Sequence, residues 1–163
     1  MGQIVIENSW GKEEEPMTPP KSKPARSAGQ IVAKARKTVS EITVTQAKAE
    51  LEQGHVGLVL DVREAHEWEQ GHISGAVLAP RGLLEWYADP TTPSAKAELT
   101  ARREARIIVA CASGLRSLLA TETLQSMGYT NVVSLAGGFT AWDKQGFPVV
   151  TGNSTARNVQ LDS

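Results

Sequence analysis

Two short stretches of the chain are apolar at consecutive positions: Leu58-Val59-Leu60-Asp61-Val62 and Arg106-Ile107-Ile108-Val109-Ala110. A strand with one solvated face alternates apolar and polar residues, so unbroken runs predict strands buried on both faces of a helix-covered sheet. Weaker strands are predicted at 42–44, 76–78 and 131–134. Helical segments separate them. One is capped by Thr45 and runs through Gln53 to a stop at Gly54; a short turn over 64–69 ends at Gly71; one or two turns over 82–88 precede the loop Asp89-Pro90-Thr91-Thr92-Pro93. A longer helix starts at Ser113 or Gly114 and runs to Met127 before Gly128, and a last one covers 139–144 between Gly137-Gly138 and Gly146. Strands separated by helices pair in parallel, because each crossover returns the chain to the same end of the sheet. The predicted fold class is α/β, an open parallel sheet of about five strands with helices on both faces. Ligands of such sheets bind beyond the carboxyl ends of the strands, where Cys111 lies.

Composition narrows the possibilities. With 163 residues, 40% hydrophobic and 21% charged, the chain holds one domain plus tails. Residues 1–40 contain four of the eight prolines and are expected to form an extended or disordered arm, with a short basic helix at most over 27–38. The domain is expected over 41–150, followed by a polar tail over 151–163. The arm sums to +3 and the remainder to −4, and no basic face emerges beyond Lys34, Arg36 and Lys37, which argues against a nucleic-acid partner. No apolar run reaches the roughly 20 residues that span a bilayer, and Glu13, Glu14 and Glu15 spoil any targeting peptide, so the expected location is cytoplasmic and without a membrane partner.

A single cysteine, Cys111, excludes a disulfide, a multi-thiolate zinc site or a dithiol pair within the chain. It stands between a buried strand and the start of a helix. Unpaired backbone N–H groups and the positive end of the helix dipole favour a thiolate there, and Arg116 adds a positive charge. The small residues Ala112, Ser113 and Gly114 allow the backbone to wrap closely. The loop therefore reads as an anion cradle around a nucleophile, with a buried, inert cysteine as the alternative.

Taken with the Cys111 loop and Ser117, the pieces Leu60-Asp61-Val62-Arg63-Glu64, Glu67, Gly71-His72-Ile73-Ser74-Gly75-Ala76, Ala79-Pro80-Arg81-Gly82 and Leu135-Ala136-Gly137-Gly138-Phe139-Thr140-Ala141-Trp142 follow one another in a familiar order. The chain resembles a single rhodanese-like sulfurtransferase domain. The resemblance implies a catalytic Cys111 that carries sulfur as a persulfide. Four residues separate Cys111 from Arg116, a spacing similar to that of the sulfur-transferring members, whereas related phosphatases use one more. The implied donor is a small anion such as thiosulfate and the acceptor is cyanide or a thiol, with no metal or organic cofactor. Two other readings are a non-catalytic rhodanese-like binding module and, less favoured, a phosphatase or arsenate reductase on the same scaffold.

Within that reading Ala112, Ser113, Gly114, Leu115 and Arg116 hold the donor anion, and Arg81 is expected to line the mouth. Asp61 and Ser117 are supporting residues, Asp61 by accepting hydrogen bonds from the loop. Arg63 and Glu67 have the spacing of an i, i+4 ion pair. His72 is expected to stabilise its turn, Trp68, Trp86 and Trp142 to anchor packing, and no histidine fits a metal pattern.

Overall fold

A computed structural model describes residues 25–152. The three longest strands are β2 (Leu58–Asp61), β5 (Ile107–Ala110) and β6 (Val132–Leu135), each buried at every position. They sit at the centre of a five-stranded sheet flanked by β1 (Glu41–Ile42) and β4 (Val77–Leu78), in the order β1-β6-β5-β2-β4, with every pair parallel. The α/β class and the open parallel sheet expected from the apolar runs are present.

Alternate residues of the central strands feed two cores. Leu58, Leu60, Ile107, Val109 and Val132 pack on one face with Leu84, Leu99 and Leu124, which come from α4 (Leu84–Ala88), α5 (Ala97–Thr100) and α6 (Leu115–Ser126). Val59, Ile108, Val133 and Leu135 pack on the other with Val44 and Ala47 of α2 (Val44–Glu52), Trp68 of α3 (Ala65–Gln70) and Trp142 of α7 (Gly138–Lys144). Both faces are thus dry, which is why the strands read as continuous apolar runs.

The cap of helix α2 is Thr43, two residues before the expected one. The Thr43 hydroxyl accepts the Gln46 N–H at 3.2 Å while Gln46 Oε1 accepts the Thr43 N–H at 2.9 Å, a reciprocal box that ends β1 and starts the helix at once. Two elements were not expected. Helix α5 is one, and the other is a two-stranded antiparallel sheet of β3 (His72–Ile73) and β7 (Val149–Val150).

Part of the expected arm belongs to the folded unit. Helix α1 (Ala28–Ala35) is capped by Ser27 and Gln30, and Ala35 and Val39 are buried against Leu118 of α6. Residues ahead of the boundary expected at 41 thus pack on the domain: Val32 and Ala35 of α1, and Val39 beyond its end, cover α6. The rest of the expected arm, residues 1–24, and the tail from 153 lie outside the described residues.

Candidate active site

Strand β5 delivers Cys111 directly at its carboxyl end, and α6 starts four residues later. The cysteine is 1% exposed. Its Sγ accepts the N–H of Gly114 at 3.1 Å and that of Ser117 at 3.3 Å, so two backbone dipoles of the loop and first turn point at the sulfur. The predicted helix start at Gly114 agrees with its place as N-cap. Its φ of +93° and the 3.1 Å that would separate an added Cβ from Leu135 O leave room only for glycine.

What turns the loop inside out is the start of α7. Phe139 N–H donates to Cys111 O at 2.7 Å and Thr140 N–H to Ala112 O at 3.0 Å, so the two carbonyls face away from the sulfur. The approach is so close that a Cβ on Gly138, whose φ is +57°, would lie 2.7 Å from Ala112 O.

Ala112 is half-buried, Ser113 and Leu115 are exposed at the mouth, and Gly114 and Ser117 are buried. Arg116 does not stand free. Both of its terminal nitrogens donate to Glu67 of α3 at 2.8 Å, a bidentate pair across 49 residues of sequence. The Arg116 hydrogen bonds hold the Glu67 carboxyl down at about 2, helped by the Glu64 N–H and opposed by partial burial, while Glu67 raises the Arg116 guanidinium. The contacts of Arg116 thus display a clamp between α6 and α3 in addition to the anion-binding role expected of it.

Three expected placements change. Arg63 does not pair with Glu67, because α3 starts only at Ala65 and Arg63 precedes it. Instead Arg63 is buried, donates to both oxygens of Asp61 at 2.7–3.0 Å and to Gly71 O at 2.7 Å, and lies over the Phe139 ring. Asp61 consequently spends its acceptors on Arg63 rather than on the cysteine loop, and it supports the turn from β2 to β3. Arg81 is turned onto the helices, donating to Glu85 at 3.2 Å and to Thr123 Oγ1 at 3.0 Å, so its charge is answered away from Cys111. His72 fulfils the structural role expected of it: its ring stacks on Trp68 at 3.4 Å, and Nδ1 meets Trp68 O at 3.0 Å.

Two contributors escaped the sequence reading. Glu67 has the spacing to pair with Arg63, but its partner is Arg116. Ser134, a polar residue inside the apolar run of β6, is fully buried with its hydroxyl 2.8 Å from that of Ser117. Among the described residues no group of histidine, cysteine and carboxylates has the arrangement to hold a metal ion, and no helix is long and apolar enough to cross a membrane.

The chain is similar to thiosulfate sulfurtransferase 16 of Arabidopsis thaliana, named as chloroplastic, at 36% identity over 72% of this chain and 98% of the relative. It is also similar to a putative sulfur carrier protein of Bacillus subtilis, at 31% identity over 72% of this chain and 58% of that one. Among solved structures, a Rhodopseudomonas palustris protein described as of unknown function and a possible tyrosine phosphatase superimposes with a TM-score of 0.72 at 32% identity, covering 79% of this chain and 98% of that one. The human single-domain sulfurtransferase gives a TM-score of 0.58 at 26% identity, covering 66% and 97%. The family model for the rhodanese-like domain matches residues 43–145, which contain the cysteine loop, its clamp and the start of α7, and the chain belongs to that family.

Proposed function

We propose that the protein is a sulfurtransferase that moves a sulfane sulfur from thiosulfate or a similar donor to a thiophilic acceptor through a persulfide on Cys111. The observation that carries the reading is the pair of N–H groups, of Gly114 in the loop and Ser117 in the first turn of α6, aimed at the Cys111 sulfur, which stabilise negative charge where the chemistry needs it. In the first half-reaction the thiolate attacks the outer sulfur of thiosulfate. The Sγ–S bond forms, the donor S–S bond breaks, and sulfite leaves with the electron pair. In the second, cyanide or a thiolate attacks the terminal sulfur, and the electrons of the Sγ–S bond return to Cys111. Charge and electrons balance in both halves without a metal or organic cofactor, and the kinetics are ping-pong.

Ala112, Ser113, Gly114, Leu115 and Arg116 form the ring that surrounds the terminal sulfur. Arg116 reaches an incoming anion only by sharing itself with Glu67. The names of the relatives support sulfur transfer, and the similarity to a sulfur carrier supports a protein thiol among the acceptors. A reducing compartment such as the cytoplasm suits a lone thiol that must stay available.

Intact-mass measurement after exposure to thiosulfate is expected to add one sulfur atom to the wild type and none to Cys111→Ser, with thiocyanate produced from cyanide by the wild type alone. Absence of the adduct with several donors overturns the proposal. Cys111-dependent hydrolysis of an aryl phosphate without sulfur loading replaces it with the phosphatase reading.

A further inference from the structure

Ser134 interrupts the apolar run of β6 with a completely buried hydroxyl. A buried hydroxyl costs free energy unless it is hydrogen-bonded, so its partner matters. That partner is Ser117 Oγ, at 2.8 Å, and Ser117 Oγ in turn lies 3.5 Å from Cys111 Sγ. Ser117 is as fully buried as Ser134. The three atoms form a short chain running from the middle of the sheet to the sulfur.

Counting hydrogens gives the chain a direction. A serine hydroxyl has one hydrogen to donate and can accept two. Among the described residues, the Ser134 side chain has Ser117 Oγ as its hydrogen-bond partner, so its hydrogen is satisfied by donating there. Ser117 then accepts from Ser134, and its own hydrogen is left to face Cys111 Sγ. That arrangement satisfies every hydrogen when the sulfur is a thiolate. With a protonated thiol, the S–H also turns to Ser117 Oγ, and one buried hydroxyl hydrogen is left without an acceptor.

We propose that Ser134 is a positioning residue for sulfur transfer, acting through Ser117 by fixing the direction of its hydroxyl towards Cys111. The inference rests on the reading of Cys111 as the nucleophile, not on the identity of the donor. Its effect is largest when charge returns to Sγ. In the persulfide the inner sulfur is formally neutral and the outer one carries the charge. When an acceptor removes the outer sulfur, the electron pair of the Sγ–S bond arrives on Cys111 at a place where a hydroxyl hydrogen is already waiting.

The test compares Ser134→Thr, which keeps the hydroxyl, with Ser134→Val, which matches threonine in shape and lacks it. Cyanide discharge of the pre-formed persulfide is expected to be about fivefold slower in Ser134→Val than in Ser134→Thr, the factor worth one net hydrogen bond. Alkylation of Cys111 by iodoacetamide, which needs no sulfur donor, is expected to reach half-maximal rate at a higher pH in Ser134→Val than in Ser134→Thr. In a Ser117→Ala background, the difference between the two Ser134 variants is expected to vanish. Equal behaviour of the threonine and valine variants, or a difference that persists without the Ser117 hydroxyl, overturns the proposal. If the alkylation order holds while no variant accepts sulfur, the relay stands and the sulfurtransferase reading falls.

Discussion

Replacing Glu67 by glutamine removes the charge that holds Arg116 and leaves the side chain able to accept the Glu64 N–H, so it isolates the ion pair from the helix cap. The Glu67 carboxyl falls from 4.5 to about 2 on folding. At about 1.4 kcal/mol per tenfold, this corresponds to a ceiling of about 3.4 kcal/mol. Arg116 is 37% exposed and Glu67 23%, so solvent screening reduces the contribution to about 1–2 kcal/mol. A depressed carboxyl contributes stability that is fully present above its unfolded value and disappears as pH falls through the folded one. The stability difference between wild type and Glu67→Gln is therefore expected to be about 1–2 kcal/mol in urea denaturation at pH 7. It should shrink between about pH 4.5 and pH 2, and 1 M salt should weaken it. A difference that stays constant from pH 7 to pH 2 refutes the assignment to the carboxylate charge, and no difference at pH 7 refutes the clamp.

Two further substitutions probe what surrounds the site. Asp61→Asn leaves the buried Arg63 guanidinium without its counter-charge and is expected to cost about 3–5 kcal/mol in chemical denaturation; a loss below about 1 kcal/mol contradicts a buried pair. Ala35→Glu places a carboxylate in the closed contact between α1 and α6 and is expected to cost at least about 2 kcal/mol. A change within about 0.5 kcal/mol would show that α1 does not cover Leu118 in solution.

Legibility of the fold followed burial. Strands β2 and β5 were readable because both faces of each are covered, so runs of three and four apolar residues advertised them; β6 is covered as fully but its run is broken by Ser134. Strands β3 and β7 have two residues each, too few to carry a period, and only their pairing with one another defines them. The cover over α6 was legible in principle, since Val32, Ala35 and Val39 are apolar positions three and four apart, but the lysines, arginines and prolines around them equally suit a solvated arm. At the site, Cys111 and its loop were readable because strand, small residues and helix start are all local. The partners of the charged residues were not. Arg63 lies outside α3, so helical spacing does not apply to it, and Arg116 meets Glu67 only after the sheet has brought α3 and α6 together. Ser134 carried a signal that went unused, a hydroxyl in a strand otherwise suited to a dry interior.

The contact between α7 and the cysteine loop bears on how portable the site is. The orientation of two peptide groups in the ring is imposed from 28 residues downstream, by the amides of Phe139 and Thr140. Residues 111–117 are therefore not a self-sufficient cassette. Grafted onto another strand-to-helix turn without a helix start that tolerates so close an approach, the same seven residues would leave the carbonyls of Cys111 and Ala112 free to rotate inward. The sulfur would then face partial negative charges where this fold presents N–H groups. The minimal transferable unit is the loop together with Gly138, Phe139 and Thr140, two segments distant in sequence that function as one part.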